Sequence, residues 1–244
     1  MTDRTILRLS GADRVNFLQG LATNDVTKTA DGLVYAALLT PQGKFIADFF
    51  LQQTGDALLL DVAQSHAATL SQRLNMYRLR ADVQIEETAL HLSRGTGPAP
   101  DGALPDPRHP AMGWRLIADT ALPVDTTDWD ALRVTHVIPE TGIELTSDTY
   151  ILEAGFERLN GIDFRKGCYV GQEIAARMKH KTELKKGLVQ VAITGHAPVG
   201  TEITTSGKPA GMLFTQSGDH ALAHLRFDRA TEDMQAGTAA LRRS

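Results

Sequence analysis

Five prolines crowd a short stretch near the middle of the chain, and they limit the fold more than any other feature. They are Pro98, Pro100, Pro105, Pro107 and Pro110. Proline lacks an N–H group and clashes with the preceding helical turn, so a segment this rich in proline forms neither a helix nor a central strand. We expect residues 95–110 to be a surface connection between two subdomains, about residues 1–95 and 111–183.

The residues before this connection alternate between strand and helix patterns. Apolar runs of strand length cover residues 4–9, 33–39, 45–51, 57–62 and 83–92. Between the last two runs, residues 64–77 repeat apolar side chains at helical spacing. The turn at residues 40–44 contains a proline and a glycine, which predicts a hairpin. Strands joined partly by hairpins and partly by helices favour an α+β fold over a parallel doubly wound sheet.

The last quarter of the chain has a different texture. Short strand-like runs separated by glycines cover residues 188–193, 202–205, 212–215 and 221–226. This pattern predicts a small C-terminal β-barrel over residues 184–244, distinct from residues 1–183. Ahead of the barrel, residues 129–136 and 154–159 have helical patterns.

Charge and composition exclude several classes of function. The chain has 25 Lys and Arg against 29 Asp and Glu, a formal net charge of −4, which does not resemble a general nucleic-acid or anionic-membrane binder. No apolar run approaches the roughly 20 residues that cross a bilayer. The start of the chain lacks the pattern of a secretory signal, and one cysteine forms no internal disulfide. We therefore expect no nucleic-acid or membrane partner and a cytoplasmic location.

The chain's only cysteine, Cys168, lies between two glycines in the segment Lys166–Glu173. Flanking glycines leave the thiol accessible and let a ligand approach the backbone. Residues 174–178 are good helix formers, which predicts that Cys168 lies just ahead of a helix N-terminus. The helix dipole and Lys166 would both favour the thiolate, the form that acts as a nucleophile or metal ligand. A lone intracellular cysteine is nevertheless more often a small buried hydrophobic residue.

This segment resembles the signature of a known family. Lys166–Glu173 and Arg177 are similar to the sequence K-G-C-Y-x-G-Q-E-x-x-x-R of the YgfZ family. Members of that family are folate-binding proteins related to the T-protein (GcvT, aminomethyltransferase) of glycine cleavage. Supporting similarities extend over nearly the whole chain and lie at residues 17–20, 23–25, 41–44, 77–80 and 207–211.

The resemblance implies both a fold and a function. The fold would be a GcvT-like folate-binding region of two related α+β subdomains plus a small C-terminal β-barrel, arranged around a central opening. The cofactor would be tetrahydrofolate or a one-carbon derivative of it. The function would be assembly or repair of iron–sulfur proteins, including radical enzymes that modify tRNA. Iron–sulfur client proteins or assembly factors would be the partners.

Carried onto this chain, the resemblance makes Cys168 the reactive thiol and Lys166 the residue that biases it toward thiolate and contacts the ligand. The folate-binding set would be Lys166, Gly167, Tyr169, Gly171, Gln172, Glu173, Arg177 and Asp48. Glu173 could equally be a first-turn charge that stabilises the helix. We expect no resident metal. One thiolate cannot hold a cluster that normally takes four cysteines, so a cluster contact at Cys168 would be transient, shared with a partner, or made across a dimer.

One departure from the T-protein affects the chemistry. Where the T-protein carries an Asp-Asp pair on a strand, this chain has Ala47 and Asp48. Aminomethyl transfer needs a carboxylate near the folate nitrogen, so the missing acid counts against the alternative of a folate-dependent one-carbon transferase or demethylase. Asp48 could also be an ordinary strand residue facing solvent. A third alternative is a binding module without chemistry, in which Cys168 is packed.

Two further groups of residues have side chains that can bind ligands. His220 and His224 would share one face of a strand, and structural or surface histidines are preferred there over metal ligands. A basic cluster follows the cysteine segment and consists of Arg177, Lys179, His180, Lys181, Lys185 and Lys186. A solvated helix end is favoured for this cluster over an anion site for the glutamate tail of folate or for a nucleic-acid-bound partner.

Overall fold

The computed structural model describes residues 3–180, 184–230 and 233–243. The chain divides into two compact units whose segments are interleaved in the sequence. The first unit consists of Met1–Thr127 and Phe156–Ala176, and the second of Asp128–Gly155 and Arg177–Ser244. No helix in the described ranges is both long and apolar enough to cross a membrane.

A five-stranded antiparallel sheet forms the centre of the first unit. Its strands are β1 (Arg4–Ser10), β2 (Val34–Leu39), β3 (Phe45–Thr54), β4 (Ala57–Ala63) and β5 (Gln84–Glu87), in the order β2-β3-β4-β1-β5. The unit's first two helices are α1 (Arg14–Gln19) and α2 (Gln64–Arg78). Every residue of β2 and β4 is buried, which explains why their apolar runs show no polar alternation. The expected hairpin and α+β class are confirmed.

The proline-rich segment contributes to a second, three-stranded sheet. The strands are β6 (His91–Gly95), β7 (Leu104–Pro105) and β8 (Trp114–Ala118), in the order β6-β8-β7. β7 lies at an edge, where a proline costs no ladder hydrogen bond. The prolines therefore exclude a central strand, as predicted, but they still permit a two-residue edge strand and the 3-10 helix Pro110–Met112.

A network of buried charges lies within the first unit. Asp61 accepts hydrogen bonds from Arg4 (2.6 Å) and Arg115, and Asp106 accepts two from the guanidinium group of Arg108 (2.8 and 3.0 Å) and one from its backbone N–H (3.0 Å). Arg115 also reaches Asp106, at 3.3 Å, so it joins the two aspartates. Burial opposes ionisation of Asp106, yet the charge and hydrogen bonds of Arg108 outweigh it and leave the pKa at about 2. For Asp61, burial is likewise outweighed by Arg4 and Arg115, and the pKa is lowered.

The second unit contains helix α3 (Trp129–His136) and a closed six-stranded barrel. The barrel strands are β9 (Lys186–Thr194), β10 (Glu202–Thr205), β11 (Lys208–Ser217), β12 (His220–Arg226), β13 (Met234–Ala236) and β14 (Ala239–Arg243), in the order β10-β11-β12-β9-β14-β13. Alternate residues such as Val191, Ala223 and Leu225 fill its interior. The predicted C-terminal barrel is confirmed.

One predicted helix is absent. Residues 151–160 form successive hydrogen-bonded turns instead of a helix over 154–159. Gly155 has φ +80° and Asn160 has φ +54°, and positive values interrupt a right-handed helix. The helix expected after Cys168 does form, as α4 (Gln172–His180). The boundaries of the two N-terminal subdomains and the central opening stay predictions.

Candidate functional site

Cys168 lies on a surface loop that leads into α4. The residue is exposed and its thiol is free, and α4 begins four residues later, at Gln172. The predicted position ahead of a helix is confirmed. The alternative in which Cys168 is a packed core residue is wrong, because the residue is exposed. The buried residues of this loop are its neighbours Lys166 and Tyr169.

The end of this loop packs tightly against the β2–β3 hairpin turn. Gly171 has φ +83°, and a Cβ atom there would lie 2.6 Å from the carbonyl oxygen of Thr40. Gly43, in the turn, has φ +74°, and its Cβ would lie 2.7 Å from Cβ of Ile174 on α4. Any side chain larger than hydrogen would force these backbones apart. The two glycine-containing segments singled out in the sequence therefore form a single contact.

Lys166 anchors the start of the loop to the interior of the first unit. Its Nζ donates hydrogen bonds to the carbonyl oxygens of Gln19 (2.7 Å) and Ala22, and it lies 5.1 Å from the ring centroid of Tyr169. Burial lowers the pKa of Lys166 to about 8, against the charges of Asp25 and Asp163, which raise it. The ammonium group thus donates to main-chain carbonyls. Its expected action on the thiol and on a ligand stays a prediction.

Thr23 and Asn24 fasten the chain just before the loop. Thr23 Oγ1 donates to the carbonyl of Gly161 (2.7 Å), and Asn24 Nδ2 donates to the carbonyl of Asn160 (2.7 Å). The Asp163 N–H in turn donates to the carbonyl of Thr23 (3.1 Å). In the sequence, residues 23–25 stood out as one of the similarities to the family. Their structural role was missed, because Gly161 and Asn160 lie more than 130 positions later in the chain and no local pattern indicates such distant partners.

Asp48 is buried in the first unit, so the alternative of a solvent-facing residue is wrong. Its Oδ2 accepts a hydrogen bond from the Tyr35 hydroxyl at 2.9 Å, and only 4% of the residue is exposed. Burial, reinforced by the negative charge of Asp48, raises the pKa of Tyr35 well above its ordinary value. The Tyr35 ring stacks on Phe156, with centroids 5.1 Å apart. Asp48 thus has a structural partner within its own unit.

The other residues of the expected folate set differ in exposure. Gly167 is exposed, and a Cβ atom there would meet nothing within 4 Å. Tyr169 is buried, burial raises its pKa to about 12, and its hydroxyl has no hydrogen-bond partner among the described residues. Gln172 is half-buried and its N–H donates to the Tyr169 carbonyl at 3.2 Å. Glu173 is exposed on α4 in the first unit, and Arg177 is exposed within the second unit.

The two histidines of the barrel pair with carboxylates, and the described members of the basic cluster are exposed. His224 pairs with Glu153 at 3.0 Å and His220 with Asp219 at 2.7 Å. No group of three or more His, Cys, Asp or Glu suited to a metal is found among the described residues. Lys179, His180, Lys185 and Lys186 are exposed, and Lys181 lies outside the described residues.

The fold is that of the T-protein class. The structure is similar to the aminomethyltransferase T of the glycine cleavage system from Bartonella henselae, with a TM-score of 0.77 over 99% of this chain and 83% of that chain. The two sequences are 13% identical, so this likeness establishes the fold alone. Residues 185–244 match a family model described as CAF17, C-terminal beta-barrel domain.

Relatives of known name identify the family. The chain is 30% identical to the iron-sulfur cluster assembly factor IBA57 homolog of Phaeosphaeria nodorum, over 93% of this chain and 70% of the relative. It is 29% identical to human IBA57, over 97% of this chain and 82% of the relative. The chain belongs to the IBA57 family. It is also 33% identical to the Neurospora crassa homolog, over 78% of this chain and 52% of the relative, and it spans about half the length of that protein.

These comparisons confirm one expectation in its broader form and correct another. The chain belongs to a family of T-protein-like iron–sulfur cluster assembly factors, as the resemblance implied, and its relatives carry the name IBA57; the narrower assignment to YgfZ itself stays a prediction. The cytoplasmic location is wrong, because the relatives are mitochondrial proteins by name. A single cysteine and the lack of a secretory pattern separate reducing from oxidising compartments. They do not distinguish one reducing compartment from another.

Proposed function

We propose that this protein is an iron–sulfur cluster assembly factor that acts through Cys168. The observation that carries the proposal is the exposed thiol on a loop whose two ends are fixed, by Lys166 at one end and by Gly171 at the other. Fixed ends hold the sulfur at the surface, where a partner can reach it. The relatives, which are iron-sulfur cluster assembly factors by name, supply the reaction class.

The chemistry of cluster transfer explains why a single thiol suffices. A [2Fe–2S] or [4Fe–4S] cluster takes four protein ligands, usually cysteines. Cys168 therefore supplies one ligand to a cluster whose remaining ligands come from an iron–sulfur client or another assembly factor. The cluster is cargo, and it leaves when the partner's thiolates replace Cys168. An exposed thiol that is never enclosed by its own chain suits such an exchange.

We propose tetrahydrofolate, or a one-carbon derivative, as the small molecule bound beside the thiol. Support comes from Gly167, whose outer side is open, and from the Tyr169 hydroxyl, a buried donor with no partner among the described residues. Tetrahydrofolate supplies a carrier for one-carbon groups. Glu173 is exposed on the first turn of α4, where it could accept hydrogen bonds from a pterin.

The transferase alternative has less support. Asp48, the one carboxylate retained from the T-protein pair, is buried and hydrogen-bonded to Tyr35. Its neighbour Ala47 is fully buried and carries no acid. A general base must reach the proton that it transfers, and neither residue is at the surface.

The test uses a strain that lacks this protein and an iron–sulfur client enzyme measured in its extract. We expect the wild-type chain to restore client activity and Cys168→Ser to leave it at the empty-vector level, because the serine hydroxyl is a poor ligand for iron. Arg165→Ser is the matched control, since the Arg165 side chain is 92% exposed on the same loop. Full activity of Cys168→Ser would refute the role of the thiol. Anaerobic calorimetry with tetrahydrofolate tests the ligand, and an absence of saturable heat would remove folate from the proposal.

A further inference from the structure

The C-terminal end of α2 carries an exposed side chain in an unfavourable backbone conformation. Leu79, which follows the helix, has φ +46° and ψ −106°. The Ala81 N–H donates to the Arg78 carbonyl at 2.8 Å, so Leu79 is the second residue of a turn close to type II′. That position favours glycine, since other residues clash at positive φ. Leu79 is nevertheless a large apolar residue, and 89% of it is exposed.

Burial of the side chain does not compensate for this conformation. A leucine normally stabilises a protein by burial, and Leu79 is almost entirely in solvent. Residues held in sparsely populated conformations cluster at functional sites. Met76, one turn earlier on α2, is also exposed, at 52%. By contrast, Leu70 and Leu74 of the same helix are fully buried, so the helix is anchored in the core by its other face.

The same end of α2 is strongly basic. Residues 64–81 contain Arg73, Arg78 and Arg80 and no Asp or Glu, in a chain whose net charge is −4. The next residue, Asp82, is acidic, and its carboxylate accepts a hydrogen bond from the Ala12 N–H at 3.1 Å. All three arginines are exposed. Arg78 donates to the Val83 carbonyl (3.3 Å), whereas Arg73 and Arg80 form no ion pair with any described residue. The helix dipole accounts for a cation in the last turn, but Arg80 lies beyond the helix and the dipole does not account for Leu79.

We propose that Met76, Leu79, Arg73 and Arg80 form a docking surface for the acidic face of an iron–sulfur partner protein. Leu79 inserts into an apolar pocket of the partner, and the two arginines pair with carboxylates around that pocket. Apolar anchors ringed by charges are typical of interface centres. Two exposed apolar side chains favour a protein over RNA, for which phosphate contacts alone would suffice. The choice of partner rests on the proposed function.

The first test separates docking from folding. Leu79→Gly removes the anchor and suits the positive φ, so we expect an unchanged or higher Tm together with a fall of about fivefold or more in client activity in the complemented strain. Arg73→Gln with Arg80→Gln should lower client activity without changing the Tm. Val124→Gly is the matched control, because Val124 is 80% exposed in the same unit. Wild-type activity in Leu79→Gly would overturn the proposal.

The second test identifies the partner by its chemistry. A photo-reactive benzoylphenylalanine replaces Leu79 in the full chain, and a control chain carries it in place of Val124. We expect a product at position 79 alone, with an iron–sulfur protein cross-linked beside Asp or Glu residues, and its loss when Arg73 and Arg80 are glutamine. No specific product, a nuclease-sensitive product or a cross-linked second copy of this chain would each overturn the proposal. If wild-type protein fails to restore client activity, the assembly function fails, and the identity of the cross-linked protein still decides the docking surface.

Discussion

At the residue scale, Lys166 shows how a buried charge can organise a surface loop. Its Nζ satisfies the carbonyls of Gln19 and Ala22. We predict that Lys166→Met, which keeps the length of the side chain and removes its donors, lowers the free energy of unfolding by about 1–3 kcal/mol, the cost of leaving buried acceptors unpaired. Urea denaturation measures the change. Arg165→Met, a change at an exposed neighbour, should keep the free energy of unfolding within about 0.5 kcal/mol of wild type. Equal stability of the two variants would contradict the anchoring role of Lys166.

The same scale shows what a residue's type can and cannot reveal. The glycines on both sides of Cys168 and the helix formers after it are local signals of an accessible thiol, but the resemblance to a family signature was needed to make it the candidate site. The environment of Asp48 had no such signal, because it depends on Tyr35, whose ring is covered by Phe156 from a distant part of the chain. Which side chains cover a strand is decided by tertiary packing, and an isolated aspartate in a strand pattern carries no record of it.

At the element scale, the contact between α4 and the β2–β3 hairpin depends on two glycines. We predict that Gly171→Ala destabilises the protein by about 1–3 kcal/mol, because the new Cβ would lie 2.6 Å from the Thr40 carbonyl and alanine is strained at φ +83°. Gly167→Ala is the matched control, since its Cβ meets nothing within 4 Å. In thermal unfolding experiments, only Gly171→Ala should have a lower Tm than wild type. A comparable loss in both would show that the contact with Thr40 does not govern stability.

Helices and strands were predicted well where hydrophobic periodicity was strong. They were predicted poorly where hydrogen bonds to neighbouring strands, and not the local sequence, determine the structure. The pattern over residues 64–77 became α2, and the first four apolar runs became β1 to β4 of the five-stranded sheet. The run at residues 83–92 was wrong as a single strand, because it divides into β5 and β6 of two different sheets. Strands β13 and β14 were missed, because Met234–Ala236 is three residues long and Ala239–Arg243 ends in two arginines. Closure of the barrel supplies their hydrogen bonds. Strands this short have no local sequence pattern strong enough to predict them.

At the scale of the whole molecule, the two compact units draw on separated segments of the chain. Residues 156–176 join the first unit through the hydrogen bonds of Thr23 and Asn24 to Gly161 and Asn160. The cysteine loop is therefore placed by residues more than a hundred positions earlier. The sequence could indicate the barrel and the sheet as separate regions, but it could not indicate this interleaving, since long-range pairing is not encoded in periodicity.

The buried charge network makes the stability of the whole molecule depend on pH. Asp106 has a pKa of about 2 in the folded protein, against 3.8 for an aspartate outside the fold. A depressed folded pKa stabilises the protein above the unfolded value, so this contribution, about 2 kcal/mol, is complete above pH 4 and is lost as the pH falls toward 2. Asp61, whose pKa is also lowered, should add to the same acid-induced loss.

Replacing Asp106 tests this dependence. We predict that Asp106→Asn lowers the free energy of unfolding by about 3–5 kcal/mol at pH 7, because Arg108 is left buried without its counter-charge. Urea titrations between pH 7 and pH 2 measure the free energy of unfolding of both proteins. The difference between wild type and variant should narrow by about 2 kcal/mol below pH 4, because the wild-type carboxylate is protonated there. Asp56→Asn, with a side chain that is 89% exposed, should follow wild type at every pH. A gap that stays constant down to pH 2 would mean that the ionised form of Asp106 contributes nothing to the fold.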